Sequence, residues 1–258
     1  VLEALCRTNM DLTPGYGTDK YTRQAEETIR DLCGVPDAAV HFLMGGTQAN
    51  TTAIAAFLRP HEAVLAAASG HICVHEAGAV EQDGHAVLRL PAPDGKLTPE
   101  LLRSAMAGPV NEHTVVPRLA YISNTTELGT VYTRPELLAL RRCCDELGLY
   151  LYCDGARLGS AMDAGGTGFA DYGACCHAFT IGGTKNGLLL GEALVIAEPA
   201  LRPGFRNCMK QQGAMLAKGR LLGVQFEAVL RDGLYLSLAA HANAQAKRLA
   251  AGLERLGV

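Results

Sequence analysis

Apolar and polar positions along the chain switch repeatedly between two periods. Short apolar runs bounded by glycine, proline or charge read as buried strands: "AVHFLM" (39–44), "EAVLAAA" (62–68), "AVLRLPA" (86–92), "PRLAYIS" (117–123), "LYLYCDGAR" (149–157), "HAFTIGGTKNG" (177–187) and "EALVIAEP" (192–199). Between them lie amphipathic stretches. "TDKYTRQAEETIRDLCG" predicts a helix with Tyr21, Ala25, Ile29 and Leu32 on its buried face and Gly34 as its stop. "GGTQANTTAIAAFLRP" predicts a glycine turn entering a helix that ends at Pro60. "DGKLTPELLRSAM" predicts a helix capped by Thr98, with Pro99 in its first position. "RPELLALRRCCDELG", residues 207–230 and "YLSLAAHANAQAKRLAAGLERLGV" continue the helical pattern. Strands alternating with helices of this length imply crossover connections. The expected fold class is therefore α/β, a mostly parallel central sheet sandwiched by helices, with ligands at the carboxyl ends of the strands.

Length and composition narrow the reading further. A chain of 258 residues is enough for one large domain. A weak boundary at "RDGLY" divides it into a large domain, 1–232, and the start of a truncated C-terminal small domain, 233–258. The first residues, "VLEALCRTN", read as mid-helix, so the chain reads as a fragment or as trimmed at both ends. A net charge of −3 provides no electrostatic footprint for nucleic acid or an acidic membrane surface, and no apolar run approaches a membrane span. Nine scattered cysteines with no C-x-x-C fit small buried hydrophobes in a reducing cytoplasm better than a disulfide framework.

Four features fall at strand ends or helix starts. The glycines of "GGTQAN" free helix N-terminal N–H groups beside Gly46, Thr47 and Gln48, which makes a phosphate cup or an ordinary capped turn. Asp154 ends a buried strand and needs a cationic partner, for which Arg157 is near in sequence. Lys185 sits in the apolar, glycine-rich "TIGGTKNGLLLGEALV", where it either snorkels to water or serves as a desolvated neutral amine. "GHICVHEAG" spaces His71, Cys73 and His75 so that an extended strand would present all three to a metal; a lone structural histidine is the competing reading, and no fourth ligand is evident. Taken together, the cup, the Asp and the Lys match the needs of pyridoxal 5′-phosphate (PLP). The cup holds its phosphate, the carboxylate keeps its pyridine nitrogen protonated, the lysine makes a Schiff base, and a flat residue such as His71 stacks on the ring.

With those motifs in view, the sequence resembles the fold-type-I PLP enzymes, and within them the threonine aldolase and β-eliminating lyase family. "GYGTDKYT", "GGTQAN", "GHICVHEAG", "ISNTTELGTVYT", "YCDGARL", "TIGGTKNGLLLGEALV" and "MKQQGAMLAKGRLLGVQF" carry the likeness across nearly the whole chain. The resemblance implies Lys185 as the Schiff-base lysine and Asp154 as the pyridinium partner. It implies Gly46, Thr47 and Gln48 at the phosphate, His71 on the ring, and Arg157 at the cofactor or the substrate carboxylate. It further implies His113, eleven residues before Asn124, as a second active-site histidine, with Asn124 near the substrate. Lys210 falls where relatives often carry an arginine that reaches a neighbouring subunit's phosphate. "GTKNG" and "SNTTELGT" depart from the family's usual "S-K-G" and "ENTHNG". The implied activity is cleavage of a β-hydroxy-α-amino acid of the threonine type to glycine and an aldehyde, with His71 or His113 as base. Cleavage of phenylserine-type substrates and β-elimination from another amino acid are the alternatives. The expected partners are a small amino-acid substrate and further copies of the chain, as a homodimer or homotetramer with shared sites in the cytoplasm, with no nucleic acid, membrane or metal. A cofactor-binding scaffold without catalysis is the rival from another class.

Overall fold

A computed structural model of the chain describes residues 1–109 and 111–257. Its elements run α1 (Leu2–Thr8), α2 (Lys20–Cys33), β1 (Ala39–Leu43), α3 (Gly46–Phe57), β2 (Glu62–Ala67), α4 (His71–Val74), α5 (Ala79–Gln82), β3 (Ala86–Leu90), α6 (Pro99–Met106), β4 (Val116–Ser123), α7 (Arg134–Leu147), β5 (Tyr150–Asp154), α8 (Leu158–Gly165), α9 (Phe169–Cys175), β6 (Ala178–Gly182), β7 (Glu192–Ile196), α10 (Phe205–Gln211), α11 (Arg220–Leu230) and α12 (Leu234–Arg255). The seven strands form one sheet in the order β1-β7-β6-β5-β4-β2-β3. Only β7 runs against the others, antiparallel to both β1 and β6. Strands covered on both faces bury nearly every side chain, which is why they read as continuous apolar runs instead of alternating ones.

Two cores flank the sheet. One gathers Val40, Leu65, Ile122, Cys153 and Phe179 with the inner faces of α2, α7, α8 and α11. The other gathers Leu43, Val64, Tyr121, Tyr152 and Leu194 with Ile54 and Phe57 of α3 and Phe205 of α10. The α/β sandwich expected from the pattern is the architecture found. Seven of the nine cysteines are buried, and all nine are free thiols.

Local signals are read correctly where they are chemical and misread where tertiary packing decides. Thr98 caps α6, accepting from Leu101 N–H at 3.3 Å, and Gly34 ends α2 in the left-handed conformation. The buried stripe of α2, however, is Thr22, Ala25, Ile29 and Cys33, while Leu32 is exposed. The helix packs closely along α11, so its small residues face inward, and the Tyr21 hydroxyl reaches out to Asp11. "GHICVHEAG" is not extended: His71–Val74 form the single helical turn of α4. Cys73 turns inward toward the Ala67 carbonyl, and among the described residues no three His, Cys, Asp or Glu side chains are placed to hold a metal ion.

α12 docks its first turns and leaves the rest in solvent. The Tyr235 hydroxyl donates to the Gly182 carbonyl and its own carbonyl accepts from Asn186 Nδ2, both at 2.8 Å. Gly159 of α8 lies so close beneath that a Cβ there would come within 3.0 Å of both Ala239 and the Tyr235 ring. Beyond residue 240 the helix is mostly exposed, Leu249 and Leu253 included. Among the described residues no helix is long and apolar enough to cross a membrane.

Candidate active site

Six strands finish at one edge of the sheet, where β7 begins. That edge collects the turns carrying Gly46, His71, Asn124, Asp154 and Lys185. α3 starts there. Its cap, Gly45, has no side chain to satisfy the first-turn N–H groups, and a Cβ at Gly45 or Gly46 would meet nothing within 4 Å. Three backbone N–H groups and the positive end of a 12-residue helix therefore face open space. Thr47 is exposed at the rim, and Gln48 turns its side-chain carbonyl back to accept from Met44 N–H at 3.1 Å, tightening the entry turn.

Asp154 stands at the end of β5, buried to 5 % exposure. The chain leaves β5 by passing against β6: a Cβ on Gly155 would fall 2.0 Å from the Thr180 carbonyl oxygen, so only glycine fits, and Thr180 Oγ1 takes the Gly155 N–H at 2.8 Å. The Asp154 carboxylate accepts from Asn50 Nδ2 (2.9 Å), the Tyr121 hydroxyl (2.7 Å) and Ala156 N–H (2.9 Å). All three donors are neutral. The ion pair expected with Arg157 does not form, because Arg157, at the entry of α8, turns outward to Glu127 with Nη1 and Oε1 3.5 Å apart. Among the described residues Asp154 has no basic partner within 4.0 Å, an arrangement suited to receiving a cation from outside the chain.

Asn50 ties this carboxylate to a second one. Its amide also donates to Glu76 Oε1 at 2.7 Å, and its carbonyl accepts from the Tyr152 hydroxyl at 2.9 Å. Glu76 Oε1 meets His71 Nδ1 at 2.7 Å, so His71 is oriented by the same network. A third carboxyl, Glu192, opens β7 opposite Gly182 and Leu43 and is equally buried. Glu76 Oε2 and Glu192 Oε2 have no hydrogen-bond partner among the described residues. Burial, and then the charge of Asp154, push the Glu192 carboxyl up to about 8.

Lys185 overturns the expectation of a desolvated amine. It is exposed, on the turn Thr184–Gly187, with no hydrogen bond or ion pair among the described residues. Burial falls on its neighbours instead. Asn186 is fastened to Tyr235, and Leu189 N–H donates to Gln225 Oε1 at 2.8 Å, while Gly187 at φ +98° lets the backbone turn the lysine out. The turn is rigid at its base and leaves the amine free at its tip.

Three further expectations are corrected. His113 precedes β4 and is exposed beside Glu112, at the amino-terminal end of the sheet. All of β4, roughly 25 Å at about 3.3 Å per residue, separates it from the strand-end turns of its own chain, so within one chain it does not reach the site. Asn124 is at the site edge but buried: its amide donates to the Tyr132 carbonyl (3.2 Å) and the Tyr172 hydroxyl (2.8 Å), and its carbonyl accepts from Tyr132 N–H (3.1 Å). It pins the loop 124–132, and both its amide hydrogens are committed within the chain. Lys210 is exposed on α10, its Nζ 4.9 Å from the centre of the Tyr16 ring, so in one chain it reaches no strand-end turn. Asn50 and Glu192 are the site groups that the sequence patterns do not single out. A lone acid opening the apolar run "EALVI" was the available signal for Glu192.

The hydrogen bond from Glu76 raises His71 above the ordinary histidine value. Stabilisation from the charged pair is present at low pH and is lost as pH rises through the raised value. In an NMR titration the His71 ring should show a midpoint above that of an unperturbed histidine, and Glu76→Gln should bring it back down. An unchanged midpoint in that variant would mean that Glu76 does not hold the proton on His71.

Comparison with known proteins agrees with this geometry. The fold is shared with aspartate aminotransferase from Thermus thermophilus, at a TM-score of 0.71 and 16% identity, over 99% of this chain and 69% of that one. The Beta-eliminating lyase model matches residues 2–258, and the chain belongs to that family. The low specificity L-threonine aldolase of Pseudomonas aeruginosa is 35% identical over 251 residues, covering 96% of this chain and 72% of that protein. The structure of Leishmania major threonine aldolase superposes with a TM-score of 0.97 at 48% identity, over 99% of this chain and 75% of that one.

Proposed function

We propose that the chain is the PLP-binding part of an aldolase that cleaves L-threonine or L-allo-threonine to glycine and acetaldehyde. The observation that carries this reading is Asp154, a buried carboxylate held by three neutral donors and left without a counter-charge at the strand ends that also present Lys185 and the open start of α3. These residues fit PLP: Gly46, Thr47 and Gln48 would take its phosphate, Asp154 its protonated pyridine nitrogen, and Lys185 would supply the amine that links it. When bound, it supplies an electron sink for the pair left at Cα of the amino acid.

The chain's own residues do the rest. His71, oriented by Glu76, forms a flat wall over the cofactor site. Arg157 offers a half-exposed guanidinium to the amino acid's carboxylate. Anchoring that carboxylate selects which bond at Cα stands perpendicular to the cofactor plane, so Arg157 chooses the bond as much as it binds the substrate. The division at residue 233, with the exposed leucines of α12 opening a small C-terminal domain, belongs to the same proposal. So do a cytoplasmic location and a homodimer or homotetramer in which Lys210 of one copy serves the phosphate of another.

The full-length protein loaded with PLP, incubated with L-threonine and with L-allo-threonine, should release acetaldehyde matched by equimolar glycine. A keto acid and ammonia in place of glycine would establish β-elimination. Turnover of phenylserine-type substrates alone would move the specificity and keep the reaction.

A further inference from the structure

One acidic side chain at the strand ends has no role in cofactor binding. Glu127 lies in the loop after β4, which is held by more bonds than a surface loop needs. Asn124 pins both backbone groups of Tyr132. The Thr126 N–H donates to the Thr130 carbonyl at 2.9 Å, and the two threonine hydroxyls meet at 2.7 Å. The Thr130 hydroxyl then fastens the turn to the Asp94 carbonyl, also at 2.7 Å. Gly129 N–H closes on the Thr126 carbonyl at 3.1 Å, so Glu127 and Leu128 are the central residues of a tight turn. Leu128 points to solvent, whereas the Glu127 side chain is only 12% exposed.

Glu127 faces inward, onto a narrow cleft of about 10 Å³, room for about one water, lined also by Ser69, Gly70, Tyr121, Ser123 and Thr126. The cleft lies between the turn that carries His71 and the end of β4. Tyr121, on its wall, is bonded to Asp154, and Glu127 itself lies 3.5 Å from Arg157, the group proposed above to hold the substrate's carboxylate. Glu127 is near enough to His71 to help raise its proton affinity, although the bond from Glu76 does most of that.

A retro-aldol step needs an acceptor for the β-hydroxyl proton. His71 has its Nδ1 committed to Glu76, which leaves Nε2 as its one ring nitrogen for any other partner. His113 is at the far end of the sheet. Asp154, Glu76 and Glu192 are buried.

We propose that Glu127 is the catalytic residue that takes the β-hydroxyl proton as the Cα–Cβ bond breaks; this rests on the aldolase reading above. The O–H electron pair becomes the second bond of the aldehyde carbonyl. The Cα–Cβ pair stays with Cα, where the cofactor would stabilise it, until Cα takes a proton from water. Glu127 then returns its proton to water, so that amino acid yields glycine and aldehyde with no net change in the enzyme. When the substrate's carboxylate engages Arg157, the long contact to Glu127 is released and the carboxylate turns to the hydroxyl.

The test separates proton removal from the hydroxyl from every earlier step. PLP-loaded full-length protein, Glu127→Gln and Glu127→Asp are compared in three measurements. These are acetaldehyde release from L-threonine and L-allo-threonine, exchange of the glycine α-proton with D2O by NMR, and the glycine dissociation constant from the change in cofactor absorbance. Glycine exchange uses the cofactor, Lys185 and Arg157 but has no hydroxyl to deprotonate. The expected result for Glu127→Gln is a cleavage kcat lowered on the order of 10²–10³-fold. Glycine exchange and affinity should stay within about threefold of the parent by the same reasoning, and Glu127→Asp should recover part of the cleavage rate. Parallel loss of cleavage and exchange would overturn the proposal in favour of a role in placing Arg157. Retained cleavage with tighter glycine binding would overturn it in favour of simple competition for Arg157. If the parent exchanges glycine but releases no acetaldehyde, the aldolase reading itself fails, an outcome distinct from an active parent with an active variant.

Discussion

Lys185→Ala is expected to reduce turnover of threonine by on the order of 10⁴-fold or more while leaving the fold and its stability almost unchanged. The separation follows from where the amine stands. A residue that is exposed, without a hydrogen bond or ion pair among the described residues, contributes little to stability, and its truncation belongs with surface changes within about 0.5 kcal/mol. The base of the turn stays fastened through Asn186 and Leu189 whatever residue occupies its tip. Circular dichroism and urea unfolding of the cofactor-free variant should therefore overlay those of the parent. The cofactor's visible absorbance should lose its lysine-linked band, and acetaldehyde should fall to background. Retained turnover would assign the covalent linkage elsewhere and sink the PLP reading. A large loss of stability would mean that the lysine is held by contacts that a single chain does not show.

Glu192 predicts an unusual dependence of stability on pH. Its carboxyl is 4% exposed, and burial followed by the charge of Asp154 raise it to about 8, whereas an unfolded chain titrates near 4.3 at an ordinary glutamate. Between those values the folded state holds a proton that the unfolded state has released. Stability then falls as pH rises, by up to about 1.4 kcal/mol per pH unit through the window, and levels off above the folded value. His71 changes stability in the same direction, since its folded value is also raised, so the parent curve alone does not isolate Glu192. Glu192→Gln keeps the shape and removes the titration. Relative to the parent, the cofactor-free variant should gain about 2 kcal/mol on going from pH 6 to pH 8, measured by urea unfolding at each pH. Parallel curves for the two proteins would show that Glu192 is ionised in the folded state.

The sequence was most informative where a residue's chemistry clashed with its surroundings. Asp154 at the close of "LYLYCD" and the glycines of "GGTQAN" both mark ends of buried elements, and the fold brings them to one edge because parallel strands all finish there. Lys185 was recognised by the same clash but misplaced in depth, since glycine turns hide the neighbours and not the amine. His113 lies at the other end of the sheet within one chain, because proximity in sequence says nothing about which end of a strand a residue precedes. Eleven residues before Asn124 is the opposite end of β4. Asn50 is invisible in the sequence for a different reason. It is unremarkable on its own helix, and its value comes from a hydrogen bond to a residue 104 positions away. The buried face of α2 shifted because packing against α11 favours small residues over the larger Tyr21 and Leu32.

α12 contributes no reacting group, yet its first turns touch both halves of the machinery. Tyr235 and Leu238 press on Gly182, Asn186 and Gly187 around Lys185, and Tyr235 and Ala239 press on Gly159, two residues into the helix that Arg157 opens. The helix thus acts as a gauge block set between two cations. On the roles proposed above for Lys185 and Arg157, the spacing between linking amine and carboxylate anchor is machined by Tyr235, which touches neither.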